Sequence, residues 1–402
     1  LTDGKGWEKL ALEYIVAPHL EGKNIQVYLS NQSLDTVFFD DLEIENISLP
    51  LYSRYGHEST LYIYLDTIGL SFLNRKRSEF FNQGFLISDS LDYVQTIFFT
   101  QGAASHGKIR LKGQEKEQFL GLKWGMRLDL GQQAWNNMTE FSFASPEISG
   151  MADEVFMHHW LAREGLLTTR NGIVPVAVNS KSIGSMMYEE EFEPSWFYFN
   201  NRFPGLLFHF SDEAWIKSKT IDKNANFMQF FMASDMEIYS KNKTEKFPAY
   251  NSWLTIANNL VFQWKNNFQP AHVVLDADKL AQLLAIIDIS RSWGSLRWNN
   301  LKLYYNPLIE KLELIGQDFK LDKNDFPPHI LCLADVLADS VLGKGISSYF
   351  ISDEIVYKKY LTCLSRFSSE DYLDSIQVLI GQQIQTDLGY LKKEYQIGRA
   401  HV

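Results

Sequence analysis

The chain has 402 residues, about 2.7 times the ~150 taken as a prior for one domain, so two or three domains are expected. Apolar residues make up 45% and charged residues 22%, with 24 Gly and 11 Pro, which excludes a disordered, collagenous or low-complexity chain. The 38 Lys and Arg against 49 Asp and Glu leave a net charge of −11, which argues against a nucleic-acid partner or an anionic-membrane binder.

Any basic site must therefore be local. Cys332 and Cys363 make no disulfide framework and show no metal-ligand spacing. Aromatic residues at 14% point to large packed interfaces or to rings that stack on a ligand. No apolar run approaches the ~18 residues that span a bilayer. The first residue is Leu rather than Met, which leaves a signal peptide open. Residues 397–402, Ile-Gly-Arg-Ala-His-Val, can be spelled by a sequencing-adapter codon string and are expected to be artificial.

From Asn24 to Leu65, short alternating runs such as Ile25/Val27/Leu29, separated by turn formers, predict a small antiparallel β unit. Leu73–Phe85 is expected to be a helix and Tyr93–Thr100 a strand. Lys108–Lys112 and Lys123–Leu130 alternate as strands, with Ile109, Leu111, Trp124, Met126, Leu128 and Leu130 on apolar faces. A helix over about Met151–Glu164 ends at Gly165. Gly172–Val178 and Ile183–Tyr188 then form a hairpin around Asn179–Ser182. Trp196–Trp264 has too weak a period to assign. Asp276 opens a helix with Leu280, Leu283, Leu284 and Ile287 on one face, and Leu301–Tyr305 with Leu312–Ile315 reads as a second hairpin. A stripe from Leu373 to Leu391 predicts a C-terminal helix behind Ser368 and Ser369.

Three constellations could carry chemistry. If the two basic strands pair, Lys108, Arg110, Lys112, Lys123 and Arg127 project from one face, a cationic plate suited to a polyphosphate; a solvated sheet face would look the same. Asn300 opens the later hairpin and Asp318 closes it, so antiparallel pairing brings the two together as a hard-oxygen site of the kind magnesium takes, although a turn Asn and a turn Asp are also common. Glu154 on the helix after the basic strands could hold a sheet lysine in place; with His158 one turn on it could instead begin a metal site, or be part of a plain polar face. The run Glu189–Glu191 alone would be a solvated turn. There is no GxxxxGK[ST], HExxH, GxSxG or CxxC.

In order along the chain, Arg110-Leu-Lys-Gly113, Lys123-Trp124, Glu154 to Arg163-Glu-Gly165, Gly184 to Glu190-Glu-Phe192, Trp298 to Tyr305-Asn-Pro307 and Leu312 to Asp318 resemble the bacterial spore-coat CotH kinase family, over about residues 60–395. The resemblance implies an α+β, protein-kinase-like two-lobed domain at 61–396, with a mixed β small lobe at 61–192 and a helical large lobe at 193–396, preceded by the β unit at 1–60. It also implies ATP and magnesium as cofactors and a Ser or Thr of a protein as acceptor. Carried over by position, Lys123 looks like the lysine on the nucleotide phosphates, with Arg110 and Lys112 beside it and Glu154 as its helix partner. Met186–Glu191, including Glu189 and Glu190, resembles the hinge that reads adenine, and Asn300 and Asp318 resemble the magnesium ligands.

One departure concerns the general base. Ser290–Ser295 offers no carboxylate where the family places its acid, and Asp288, the nearest, takes the catalytic position in this reading. The alternative is a pseudokinase-like binding protein. A third reading has the N-terminal β unit bind a carbohydrate or wall polymer through Tyr52, Tyr55 and Tyr62.

Overall fold

Leu61–Tyr64 (β1) is a four-residue strand with hydrogen-bonded neighbours on both edges: it pairs antiparallel with Val94–Thr100 (β2) and parallel with Asn171–Val178 (β6). This double pairing closes a barrel in the computed structural model, which describes residues 60–86, 90–100, 103–219, 227–319 and 349–395, with isolated positions at 12, 24, 38 and 42–44. Around the barrel the order is β1, β2, Ala103–Leu111 (β3), Met126–Asp129 (β4), Glu140–Ala144 (β5), Lys181–Glu190 (β7), then β6 back to β1. Ile63, Phe98, Ile109, Leu128, Phe141 and Met186 fill its interior, so it is a packed core and not a pore.

Two helices lie in this stretch of the chain, the first against the barrel and the second buried in the core of the following half. Thr67–Gln83 (α1) starts where the Asp66 carboxylate accepts the Gly69 N–H at 2.6 Å, and stops at Gly84, whose φ of 82° suits glycine. Ala152–Arg163 (α2) ends before Gly165 at φ 64° and buries Val155, Met157, Trp160 and Leu161.

The rest of the chain builds a second sheet, with Leu206–Phe210 (β8), Met236–Ile238 (β9), Lys302–Asn306 (β10) and Lys311–Ile315 (β11) in the order β11, β10, β8, β9. Helices Tyr250–Lys265 (α3), Ala277–Ser290 (α4), Glu354–Phe367 (α5), Glu370–Gln383 (α6) and Gln385–Tyr395 (α7) pack with it into one apolar core. Asp276 and Asp353 cap α4 and α5 by accepting two backbone N–H groups each. The predicted C-terminal stripe is retained, but the helix is interrupted at Ile384, and Ile376, Ile380, Ile384 and Leu391 stay buried across the break.

This architecture corrects the expected kinase-like, two-lobed fold with a mixed β small lobe. The first half is a closed seven-strand barrel, mixed through the single parallel pair β1·β6, and the second half has a four-stranded sheet of its own as well as helices. Two features hid this. β1 has no alternation to separate it from the run before it, and β8 is buried on nearly its whole length, so it lacks a period-2 signature. Residues 1–59 lie outside the described residues apart from the isolated positions, and with them Tyr52, Tyr55 and the predicted N-terminal β unit; 396–402 lie outside as well. Tyr62 is buried in β1 against Phe99 and Ala177, so it is no exposed stacking ring. No helix among the described residues is long and apolar enough to cross a membrane.

Candidate functional site

The two halves meet where the β10–β11 hairpin ends. Leu167, after α2, bridges Ile315 in parallel, and the Gly316 N–H donates to the Leu167 carbonyl at 2.9 Å. A side chain on Gly316 would meet Leu161 and the Phe319 ring, both fully buried, so glycine is required for this close approach. Two residues on, Asp318 takes a left-handed φ of 57°, a conformation Asp tolerates better than most side chains. Phe319 is buried, with its ring edge-on to His158 at 5.7 Å, and this anchors the turn.

Asp318 is reached by solvent, yet protein surrounds its carboxyl closely enough to push its pKa up by desolvation. The charges of Lys302, Lys112 and His158 act against that rise, and Glu189 adds to it. Solvent reaches the residue while protein closely surrounds its carboxyl group. It accepts no hydrogen bond and makes no ion pair among the described residues.

Lys302 stands on β10, and its charge acts on Asp318. Its cross-strand partner on β11 is Ile315, and continuing that register sets Asn299 opposite Asp318. The Lys302 ammonium turns back along the strand and donates to the Asn299 carbonyl at 3.3 Å. Burial lowers its pKa, while the charges of Asp318 and Asp212 oppose the lowering.

Behind Asp318 lies a polar chain. His158 and Glu154 pair at 3.0 Å on α2. The Thr169 hydroxyl stands 3.4 Å from His158 Nδ1 and donates to Glu189 at 3.0 Å, and Gln317 Nε2 donates to the same Glu189 oxygen at 2.6 Å. Desolvation raises the Glu154 pKa against the pull of His158. Burial alone would lower that of His158, but the hydrogen bond and charge of Glu154, with Glu189 and Asp318, hold it up. Glu154 is thus the partner of His158, not of a sheet lysine, and no third ligand makes the pair a metal site: the described residues hold no group of three or more His, Cys, Asp or Glu fit for a metal.

The basic strands do pair, with Arg110 opposite Arg127 and Lys108 opposite Asp129. The cationic plate is largely neutralised where it stands. Lys108 meets Asp129 at 3.6 Å, Arg127 meets Glu140 at 2.6 Å and Glu191 at 3.4 Å, and Arg110 lies over the Tyr93 ring at 5.3 Å. Lys112 is paired with Glu191 and also donates to Ser142 Oγ at 3.0 Å. Burial raises the Glu191 pKa, but Lys112 and Arg127 outweigh it and hold the carboxyl down at about 2.

Lys123 is elsewhere. It pairs with Glu394 and donates to the Tyr395 hydroxyl at 2.6 Å, fastening α7 to the barrel. The structure does not bring it to Glu154, and Lys112, not Lys123, acts on Asp318. The expected hinge is also engaged. β7 lies between β5 and β6 with partners on both edges as far as Glu190, and Glu190 is clamped by Arg170. Asp288 is buried on α4 and receives the hydroxyl of Tyr360 from α5. Asp288 therefore ties two helices together, a structural role beside the catalytic position expected of it from sequence.

Asn300 Nδ2 donates to the Gly294 carbonyl at 2.9 Å, and its Oδ1 accepts from Asn299 Nδ2 at 3.1 Å. A side chain built at Gly294 would lie 3.7 Å from the Asp318 carbonyl, so Asn300 and Asp318 adjoin one glycine. Asn299 Oδ1 is buried and has no hydrogen-bond partner among the described residues. One accessible carboxylate beside an orphaned amide oxygen is a donor set that magnesium accepts, since it takes one or two protein oxygens and completes its shell with water and phosphate.

Lys302, Asn299 and Gln317 escaped the sequence analysis, and Glu191 entered it only as part of an acidic turn or hinge. The one available signal was Lys302, a lone charge inside the apolar run Leu301–Tyr305. No protein-family model matches the chain, and no curated protein does either. The likeness to the CotH family therefore rests on the order of motifs along the sequence.

Proposed function

We propose that this protein is an ATP- and magnesium-dependent phosphotransferase of the CotH type that phosphorylates Ser or Thr of a protein. The observation that carries the reading is Asp318: a solvent-reached carboxylate without a hydrogen bond or ion pair among the described residues, with Lys302 and Lys112 acting on it. A carboxylate and an ammonium that face each other without pairing leave room for a ligand carrying both charges, and a metal-bound polyphosphate is such a ligand.

Asp318, with an amide oxygen from Asn299 or Asn300, would hold magnesium, which when bound neutralises phosphate charge. The lysines supply the remaining positive charge. Transfer breaks the bond between the terminal phosphorus and the oxygen that leaves with ADP, forms one to the acceptor hydroxyl oxygen, and passes the hydroxyl proton to solvent water. Positioning and charge neutralisation provide most of the catalysis in such reactions. The test is the melting shift on adding ATP with magnesium. A shift in the intact chain that collapses in Asp318→Ala supports the reading, and no shift in the intact chain overturns it.

The burial of Asp288 against Tyr360 favours a second reading, a binding protein without turnover. Loss of a general base costs typically ~10²–10⁴-fold in rate. Nucleotide binding without transfer to any protein acceptor would decide for this reading.

A further inference from the structure

The geometry points to Lys302 as the residue that meets the nucleotide phosphates next to Asp318. The inference rests on the phosphotransferase reading and deepens it, because it replaces the barrel lysines with one from the second sheet.

The barrel cations are largely committed to carboxylates. Lys123 is held by Glu394 and Tyr395. Lys112 is held by Glu191 and Ser142, and Arg127 by Glu140 and Glu191. Each of these would have to abandon a carboxylate to meet an anion. Lys302 makes one long hydrogen bond, 3.3 Å to the Asn299 carbonyl, and no ion pair among the described residues. An ammonium has three donors, so two remain for a ligand.

Its placement is fixed by the hairpin. β10 is flanked by β8 and β11, where Lys302 is opposite His209 and Ile315 respectively, so its backbone cannot shift without breaking two ladders. The side chain runs back to Asn299, at the level of Asp318. A rigid strand therefore presents a cation with free donors beside a carboxylate with free acceptors. Oxygen anions of a phosphate satisfy the cation, and a divalent ion shared with the same phosphate satisfies the carboxylate.

The experiment is calorimetric binding of ATP with magnesium to the intact chain and to Lys302→Met, Lys302→Gln and Lys302→Arg, each checked for folding by its melting curve. Removing a charge-assisted hydrogen bond to phosphate is expected to weaken binding about 10- to 100-fold in Lys302→Met. Lys302→Gln, which can still hydrogen-bond the Asn299 carbonyl, is expected to weaken it similarly and replaces the Met variant should that one not fold. Lys302→Arg, which keeps charge and donors, should stay within about threefold. Wild-type affinity in the Met or Gln variant overturns the inference while leaving the phosphotransferase reading intact. Absence of binding by the unaltered chain overturns both.

Discussion

Lys112 and Glu191 form an ion pair across the barrel mouth, and Arg127 shares the same carboxylate at 3.4 Å. Glu191 is only 5% exposed, and two cations hold its pKa at about 2 against the desolvation that would raise it. A carboxyl held below its ordinary value contributes stability above that value, and the contribution is lost as pH falls towards 2.

Denaturant unfolding at pH 7 and pH 3 is therefore expected to show a stability difference of about 2 kcal/mol traceable to this one group. Glu191→Gln should remove most of that difference while destabilising the protein at pH 7 by at least as much. An unchanged pH dependence in the variant would mean that the acid sensitivity lies elsewhere.

Asp288→Asn tests whether that carboxylate is structural. The hydrogen bond from Tyr360 is buried between α4 and α5, so the variant should lose about 1–3 kcal/mol in thermal or chemical unfolding. Its affinity for ATP with magnesium should not change. A large loss of nucleotide binding in a well-folded variant would return Asp288 to the site.

Gly316→Ala places a methyl group 2.6 Å from the Phe319 ring edge and closer still to Leu161. Neither neighbour can withdraw, because both are fully buried. Overpacking of this kind typically costs about 1–3 kcal/mol, and it displaces the turn that holds Asp318. The melting temperature and the ligand-induced shift should fall together; a normal shift would show that the turn absorbs the methyl group.

Lys123→Met separates the two barrel lysines. Its partners Glu394 and Tyr395 are on α7, so the expected result is a loss of about 1 kcal/mol or less, as for a partly exposed pair. Nucleotide affinity should stay within about twofold. Tenfold weaker binding would reinstate Lys123 as the phosphate lysine.

Much of the local structure was legible because it is written in short-range chemistry. Alternation marked β3 and β4 on either side of their connection. Asn179–Ser182 marked the β6–β7 turn, which the structure tightens to Asn179-Ser180, both at positive φ, and Asp276 marked the start of α4. The β10–β11 hairpin was legible from its two apolar runs, and in the structure Asn300 and Asp318 both adjoin Gly294. These features depend on a residue and its near neighbours, which a sequence displays directly.

Closure of the barrel, by contrast, depends on β1 finding β6, over a hundred residues away, and nothing local in Leu61–Tyr64 specifies a parallel partner. Pairing of charges is decided in the same way. Five cations on two strands look alike in sequence, but Glu140, Glu191 and Glu394 arrive from β5, the end of β7 and α7 to neutralise three of them. A charge is free or committed according to what stands within a few ångströms in space, so only the tertiary structure could single out Lys302 and Asp318 as interacting charges without an ion-pair partner among the described residues.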